Sequence, residues 1–146
     1  MLRFHNGHNY LEMSVEIDED NSLQSYGDAA VSIRVHSHGF SGNSDFWVFR
    51  NVLESFCSSL IALEHAQEGE AFLESISPNE LNITIRTLSS SGNFAVVGTT
   101  GHMIYEKNSK IWHSVSFGFE FEPSQMHEVF KLPWVKRYGT STISTG

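Results

Sequence analysis

Histidines are the side chains in this sequence whose type and spacing come nearest to a metal site. Eight are present among 146 residues, and His36 and His38 stand two apart in a segment with strand-like alternation. Side chains two apart on a strand share a face, so we expect both rings beside Arg34. His5 joins them if its strand pairs nearby, and three imidazoles can bind a transition metal. The positive charge of Arg34 would repel a metal cation. We therefore favour the interpretation that these histidines are exposed on a solvated sheet face. A small-ligand or metal-binding module at Arg34, His36 and His38 is the alternative.

Carboxylates are the second group with possible chemistry. Glu12 and Glu16 share one face of a predicted strand, and Asp18, Glu19 and Asp20 follow in a polar loop. Paired carboxylates perform acid–base chemistry on a glycoside only when they face each other across the reacting bond, and nothing in the sequence indicates such a cleft. We therefore interpret these acids as a solvent-exposed surface.

Motifs for other reactions are missing from the sequence. Cys57 lies in a helical pattern beside apolar residues, where a free cysteine behaves as a small hydrophobic side chain. No serine has the Gly-x-Ser-x-Gly spacing of a nucleophile elbow. The stretch around Gly98 and Gly101 lacks the spacing and the lysine of a phosphate loop. The sequence therefore predicts a protein without catalytic activity and without a cofactor.

The charge balance favours a protein partner over a nucleic acid. Nine Lys and Arg stand against seventeen Asp and Glu, a formal net charge of -8, which leaves few groups for a phosphate backbone. A negative surface instead accelerates association with a basic protein. No apolar run approaches the ~20 residues of a membrane helix, and the first residues lack a signal-peptide pattern. The single cysteine cannot form an intrachain disulfide. We therefore expect a cytoplasmic protein without a membrane partner.

Alternation of apolar and polar residues predicts antiparallel strands over most of the chain. It is strictest at residues 111–121, and it is typical of a sheet with one packed face and one solvated face. Gly98 and Gly101 within one long strand suggest a bulge or a bend. Strands are predicted at residues 2–5, 10–17, 30–38, 45–49, 70–76, 81–88, 94–105 and 111–121.

A helical period replaces the alternation near residue 49. It predicts a helix over residues 51–67, with Asn51 and Glu54 as a capping box. Pro123 predicts the first turn of a short helix to about residue 130, which Pro133 would end. The stripe of the main helix consists of Phe49, Leu53, Phe56, Leu60 and Leu63.

Together these elements predict one α+β domain at residues 1–137. We expect a curved antiparallel sheet of about seven or eight strands, with the main helix on its apolar face and the short C-terminal helix at an edge. Residues 138–146 are rich in Ser, Thr and Gly, and they are predicted to form a flexible tail. Exposed sheet edges leave a homodimer by sheet extension open.

Several blocks of the sequence resemble the WapI-type immunity proteins, a family of small bacterial proteins. The first is Gly-Phe-Ser-Gly-Asn-Ser-Asp-Phe-Trp at residues 39–47. The second is Gly-Glu-Ala-Phe-Leu-Glu-Ser-Ile-Ser-Pro-Asn-Glu-Leu at residues 69–81. Shorter blocks follow at residues 97–101, 113–114 and 123–125, so the resemblance covers roughly residues 9–130.

The resemblance implies a non-enzymatic protein that binds and neutralises the toxic domain of a secreted or contact-delivered toxin. A nuclease toxin would be basic around its active site, and an acidic face could cover that site. We therefore expect the cognate toxin to bind the acidic strand face and the loop after it. The predicted partner-binding residues are Tyr10 as an aromatic anchor and the acids Glu12, Glu16, Asp18, Glu19 and Asp20.

Overall fold

The strands of this chain form two antiparallel sheets, each built from four consecutive strands. The computed structural model describes residues 1–88 and 92–141. In both sheets every strand pairs with its neighbour in the sequence. The first sheet contains β1 (Leu2–Asn6), β2 (Asn9–Ile17), β3 (Ala29–Ser37) and β4 (Phe40–Val48). The second contains β5 (Glu70–Glu74), β6 (Leu81–Thr87), β7 (Phe94–Tyr105) and β8 (Lys110–Phe121).

Helices connect the sheets and follow the last strand. α1 (Arg50–Ala66) lies between β4 and β5 in the sequence. After β8 come a 3-10 helix at Pro123–Gln125, then α2 (Met126–Val129) and α3 (Pro133–Ser141). Among residues 1–88 and 92–141, no helix combines the length and the apolar character needed to cross a membrane.

The α+β class is confirmed, but the prediction of one curved sheet is wrong, because the strands divide into two sheets of four. Alternation shows which side chains share a face and does not show where a sheet ends. The apolar faces of the two sheets pack on each other. Phe4 stacks on Phe121 with 4.1 Å between ring centroids, and Val115 occupies the space where a side chain at Gly42 would lie.

The stripe predicted on α1 packs into the core except for Phe49, which precedes the helix as its N-cap residue and is 48% exposed. Leu53, Phe56 and Leu60 are each at most 1% exposed, and burying a side chain of this size stabilises the fold by roughly 1.5–3 kcal/mol. Cys57, beside the stripe, is also fully buried. Burial raises the pKa of its thiol to about 12, so the thiol stays protonated at neutral pH. The interpretation of Cys57 as a small hydrophobic side chain is confirmed.

A residue from a distant loop caps the first turn of α1. The N-cap residue Phe49 makes no side-chain hydrogen bond. Instead, Asp28 Oδ1 accepts a hydrogen bond from the backbone N–H of Arg50 at 2.8 Å. Glu54 forms an ion pair with the Arg50 side chain at 2.6 Å. The predicted capping box of Asn51 and Glu54 is therefore wrong, since the acceptor comes from outside the helix.

Side chains of the first sheet cover part of the free edge of β8. The Ser37 hydroxyl donates to the carbonyl of Gly118 at 3.1 Å and accepts from its N–H at 3.0 Å. The amide of Asn6 donates to the carbonyl of Glu120 at 2.9 Å. These bonds fix the two sheets relative to each other and satisfy edge groups that would otherwise face solvent.

α3 packs against α1 and extends the domain beyond the predicted boundary. Pro133 begins this helix rather than ending the previous one, in keeping with the preference of proline for a first helical turn. Tyr138 is 1% exposed, and its hydroxyl donates to the carbonyl of Gly27 at 2.8 Å. The predicted boundary after residue 137 falls within α3. Residues 142–146 of the predicted tail lie outside the described residues.

Candidate protein-interaction surfaces

The outer face of the first sheet mixes both signs of charge around the predicted binding strand. In the register of β1, β2 and β3, Glu12 lies between Arg3 and Arg34. Arg3 Nε is 3.9 Å from Glu12 Oε2, and opposite charges on facing strands attract each other. Glu16, farther along β2, faces Ala30 and is exposed. The middle of the predicted acidic face is therefore close to neutral.

The acids of the loop at residues 18–28 hold the shape of the loop. Asp18 Oδ2 accepts a hydrogen bond from the Ser25 hydroxyl at 2.5 Å. Asp20 Oδ1 accepts from the hydroxyl of Ser22 at 2.6 Å and from its backbone N–H at 3.0 Å. These two bonds lower the pKa of Asp20. Both carboxylates thus act within the loop, as polar side chains commonly do in turns.

The remaining predicted partner-binding residues also have neighbours within the protein. Glu19 Oε1 lies 2.5 Å from Arg137 Nη1 of α3, a largely solvent-exposed ion pair that water screens. Tyr10 stacks on His36 with 5.9 Å between ring centroids. The six predicted residues are therefore divided between a strand face and a loop, and most of them already interact with other parts of the chain.

The histidines of the alternative site do not converge. His36 lies on the outer face of β3, stacked on Tyr10. His38 lies beyond the end of that strand with a φ of 51°, and its N–H donates to Asn9 Oδ1 at 2.8 Å. In the register, Tyr10 lies between His5 and His36, which separates those residues by about 10 Å. Within the described residues, no three His, Cys, Asp or Glu side chains are grouped to hold a metal ion.

The hairpin of β7 and β8 extends beyond the second sheet as a two-stranded ribbon. Leu81, the first residue of β6, pairs with Thr100, and the N–H of Gly101 donates to the carbonyl of Glu80 at 3.0 Å. Among the described residues, β7 beyond Gly101 has only β8 as a pairing strand. We call residues 101–114 the arm. Its turn is closed by the N–H of Glu106, which donates to the carbonyl of Ser109 at 2.8 Å. An isolated two-stranded hairpin is marginally stable in water, so contacts outside the ribbon must support it.

The outer face of the arm exposes three large side chains. Met103 faces Trp112 across the ribbon, and Tyr105 faces Lys110. The exposed fractions of Met103, Tyr105 and Trp112 are 37%, 74% and 41%. A side chain at Gly101 would collide with the indole of Trp112. The pairing of this strand is continuous, so of the predicted bulge or bend the bulge is absent at Gly101, and the glycine provides space for the indole.

The inner face of the arm rests on β4. The ring of His102 stacks on that of His113 with 6.3 Å between centroids. His102 Nδ1 is 3.2 Å from the hydroxyl of Ser44, and Val115 packs at Gly42. These contacts restrain the ribbon on one side and leave the Met103, Tyr105 and Trp112 side exposed.

Alternation predicts both strands of the arm but not that they extend beyond the rest of the sheet. Alternation assigns Trp112 to a solvated face, and it does not show that the ribbon passes the end of its neighbouring strand. The available signal is strand length, because β7 and β8 have 12 residues each while β6 has 7. Strands of unequal length in one sheet must leave an overhang.

The structure therefore presents two candidate surfaces for a partner. The face of β2 with the following loop carries acids that interact within the protein, whereas the arm carries exposed aromatic and apolar side chains. Comparisons with family models, with curated proteins and with solved structures gave no match to this chain.

Proposed function

We propose that this chain is a non-enzymatic immunity protein, which binds and inhibits the domain of a protein toxin. The observation that carries the proposal is the patch of Met103, Tyr105 and Trp112 on the arm. Contiguous exposed apolar surface commonly marks a site that another protein covers. Met, Tyr and Trp are enriched in such interfaces. The resemblance to WapI-type immunity proteins supports the choice of a toxin as the partner.

The exposed outer face of the arm suits direct contact with a partner. Its side chains project from a ribbon that β4 supports through Ser44 and Gly42. Aromatic side chains on a restrained backbone lose little conformational entropy on binding. We expect Trp112 to be the anchor, because buried tryptophans dominate the binding energy of many interfaces.

The acids of the first sheet and its loop have a long-range role in this proposal. A net charge of -8 attracts a basic toxin, such as a nuclease, before the surfaces touch. Such steering changes the association rate more than the final affinity. The proposed contributors to steering are the carboxylates of Glu12, Glu16, Asp18, Glu19 and Asp20, whereas the uncharged Tyr10 has no part in it.

The first test identifies the toxin domain and then measures which surface binds it. The tagged chain is used to capture candidates from its host lysate at low and high salt, and a captured toxin domain is purified. We expect Trp112→Ser to weaken binding of that domain by about 30-fold or more, the effect of losing a hot-spot residue. Trp47→Ser is the matched control, since Trp47 is 45% exposed but lies on the first sheet. Calorimetry measures both affinities.

Charge reversal separates steering from contact in the same experiment. A triple variant combines Glu12→Lys, Glu16→Lys and Glu19→Lys. We expect it to reduce the association rate ~10-fold or more at low salt, with a smaller effect at high salt. If this variant loses binding while Trp112→Ser keeps it, the interface is the acidic face and not the arm. A captured domain whose toxicity the wild-type chain does not inhibit would contradict the immunity function.

A further inference from the structure

The outer edge of β8 is open over residues 110–116, most of which belong to the arm. The N–H of Gly118 points away from β7, since it donates to Ser37 of the first sheet. Backbone groups of an edge strand point outward at every second residue, so those of Lys110, Trp112, Ser114 and Ser116 face the same edge. In residues 1–88 and 92–141, the structure shows no backbone–backbone hydrogen bond at these four outward positions.

Such an edge is unusual for a protein that stays alone. Natural sheets protect free edges with prolines, charges, bulges or a covering segment. Residues 110–116 contain no proline and only one Lys, at their start, and their pairing with β7 has no bulge. The covering side chains Ser37 and Asn6 reach only Gly118 and Glu120. The open segment therefore fits the addition of one more strand.

We propose that a second copy of this chain adds its own β8 to this edge, antiparallel and about a two-fold axis at His113. Trp112 then pairs with Ser114 of the second copy, and Lys110 pairs with Ser116 of the second copy. This register uses all the outward groups of residues 110–116 on both copies. An axis one residue later would need Gly118, whose outward groups already bind Ser37.

The side chains of the segment are complementary to themselves in this register. On the outer face, the large Trp112 and Lys110 oppose small serines. On the inner face, Ile111 opposes Val115 of the second copy, which is an apolar pair between facing strands. Lys110 meets an uncharged residue, so no like charges lie directly opposite each other. The result is a continuous eight-stranded sheet across the two copies.

Charge sets the salt dependence of this dimer. Each copy has a net charge of -8, so the copies repel each other at low ionic strength and salt screens the repulsion. We expect dimerisation to strengthen as salt is added, whereas binding of a basic toxin weakens. Strand addition uses the edge and leaves the outer face of the arm open, so this inference does not depend on the proposed function.

Cross-linking tests the register. Residues on the two-fold axis form a non-hydrogen-bonded pair with Cα atoms about 4.5 Å apart, which is within the range of a disulfide. His113→Cys should therefore form an intermolecular disulfide rapidly under mild oxidation. Ile111→Cys is the control on the same face, because the two copies of residue 111 would lie about 14 Å apart along the strands. The native Cys57 is buried and does not compete.

Sedimentation of the full chain gives an independent test. Ser114→Pro removes an N–H that points to the open edge, so it should dissociate the dimer without removing a bond inside the sheet. Ser114→Ala keeps the N–H and should remain a dimer. A wild-type chain that sediments as a monomer at high concentration and high salt would overturn the proposal. Equal cross-linking of the two cysteine variants would refute the register. Edge amides that become protected from hydrogen exchange only when a toxin strand binds would refute it as well.

Discussion

The side chain of Asp28 connects the loop after β2 to the first turn of α1. The first N–H groups of a helix have no partner within the helix, and the side chain of Phe49 at the N-cap offers no acceptor. Asp28 Oδ1 accepts from the N–H of Arg50 at 2.8 Å. Its negative charge also lies where the helix dipole favours an anion. One residue therefore determines where the helix begins and how the loop is placed.

We expect Asp28→Ala to lower the free energy of unfolding by about 1 kcal/mol, the usual effect of removing a helix cap. Asp28→Asn keeps an oxygen acceptor, so it should retain most of the stability. Urea unfolding followed by far-UV circular dichroism measures both variants. Equal stability of the alanine variant and the wild type would show that the hydrogen bond does not act as a cap.

At the scale of the strand, β7 has no room for a side chain at Gly98. It pairs with Ile83 on β6 and with Phe117 on β8 without interruption. A Cβ atom at Gly98 would overlap the backbone oxygen of Asn82, which cannot rotate away. The glycine is therefore required by a close backbone approach. Of the predicted bulge or bend, the continuous pairing excludes the bulge at this position.

Gly98→Ala should lower the free energy of unfolding by about 1–3 kcal/mol, because an overpacked site must move its neighbours. Gly118→Ala is the matched control on β8. There the nearest atom to an added Cβ is a methyl carbon of Val97 at 3.1 Å, and a side chain can shift, so the loss should be smaller. Thermal unfolding of the two variants side by side measures the difference. A larger loss for Gly118→Ala would contradict this account of β7.

These elements also show how far the sequence predicts the structure. Alternation identifies the inward residues of β2 and β8 because side-chain direction is a local property of a strand. It does not identify the start of β4, where residues 40–44 lack large apolar residues after Phe40. The division into two sheets and the extension of the arm beyond β6 depend on contacts between distant segments. A pattern read along the chain carries no information on those contacts.

At the scale of the whole molecule, Tyr138 joins three parts of the fold. Its hydroxyl binds the carbonyl of Gly27 in the loop after β2. Its ring lies 5.7 Å from the guanidinium carbon of Arg50 on α1 and 5.3 Å from that of Arg137 on its own helix. Burial raises the pKa of Tyr138, so the phenol keeps its proton and remains a donor at neutral pH. The C-terminal helix is thus part of the domain.

Tyr138→Phe should cost about 1–3 kcal/mol, because the buried carbonyl of Gly27 loses its side-chain donor. The control is Tyr105→Phe, since Tyr105 is 74% exposed on the arm and its hydroxyl should not affect stability. Denaturant titrations with fluorescence and circular dichroism should give coincident single transitions for both variants. An unchanged midpoint for Tyr138→Phe would show that this bond adds nothing to the fold.

The pairing of each strand with its sequence neighbour has a consequence for folding kinetics. Short loop closures cost little entropy, and proteins rich in local contacts fold faster than those with distant pairings. Each four-stranded sheet can therefore form from its own continuous segment, starting at a hairpin. The bonds that span more than 80 residues, such as Ser37 to Gly118 and Gly27 to Tyr138, form only when the segments meet. We expect the rate-limiting step to be the docking of two nearly formed sheets rather than the search for strand register.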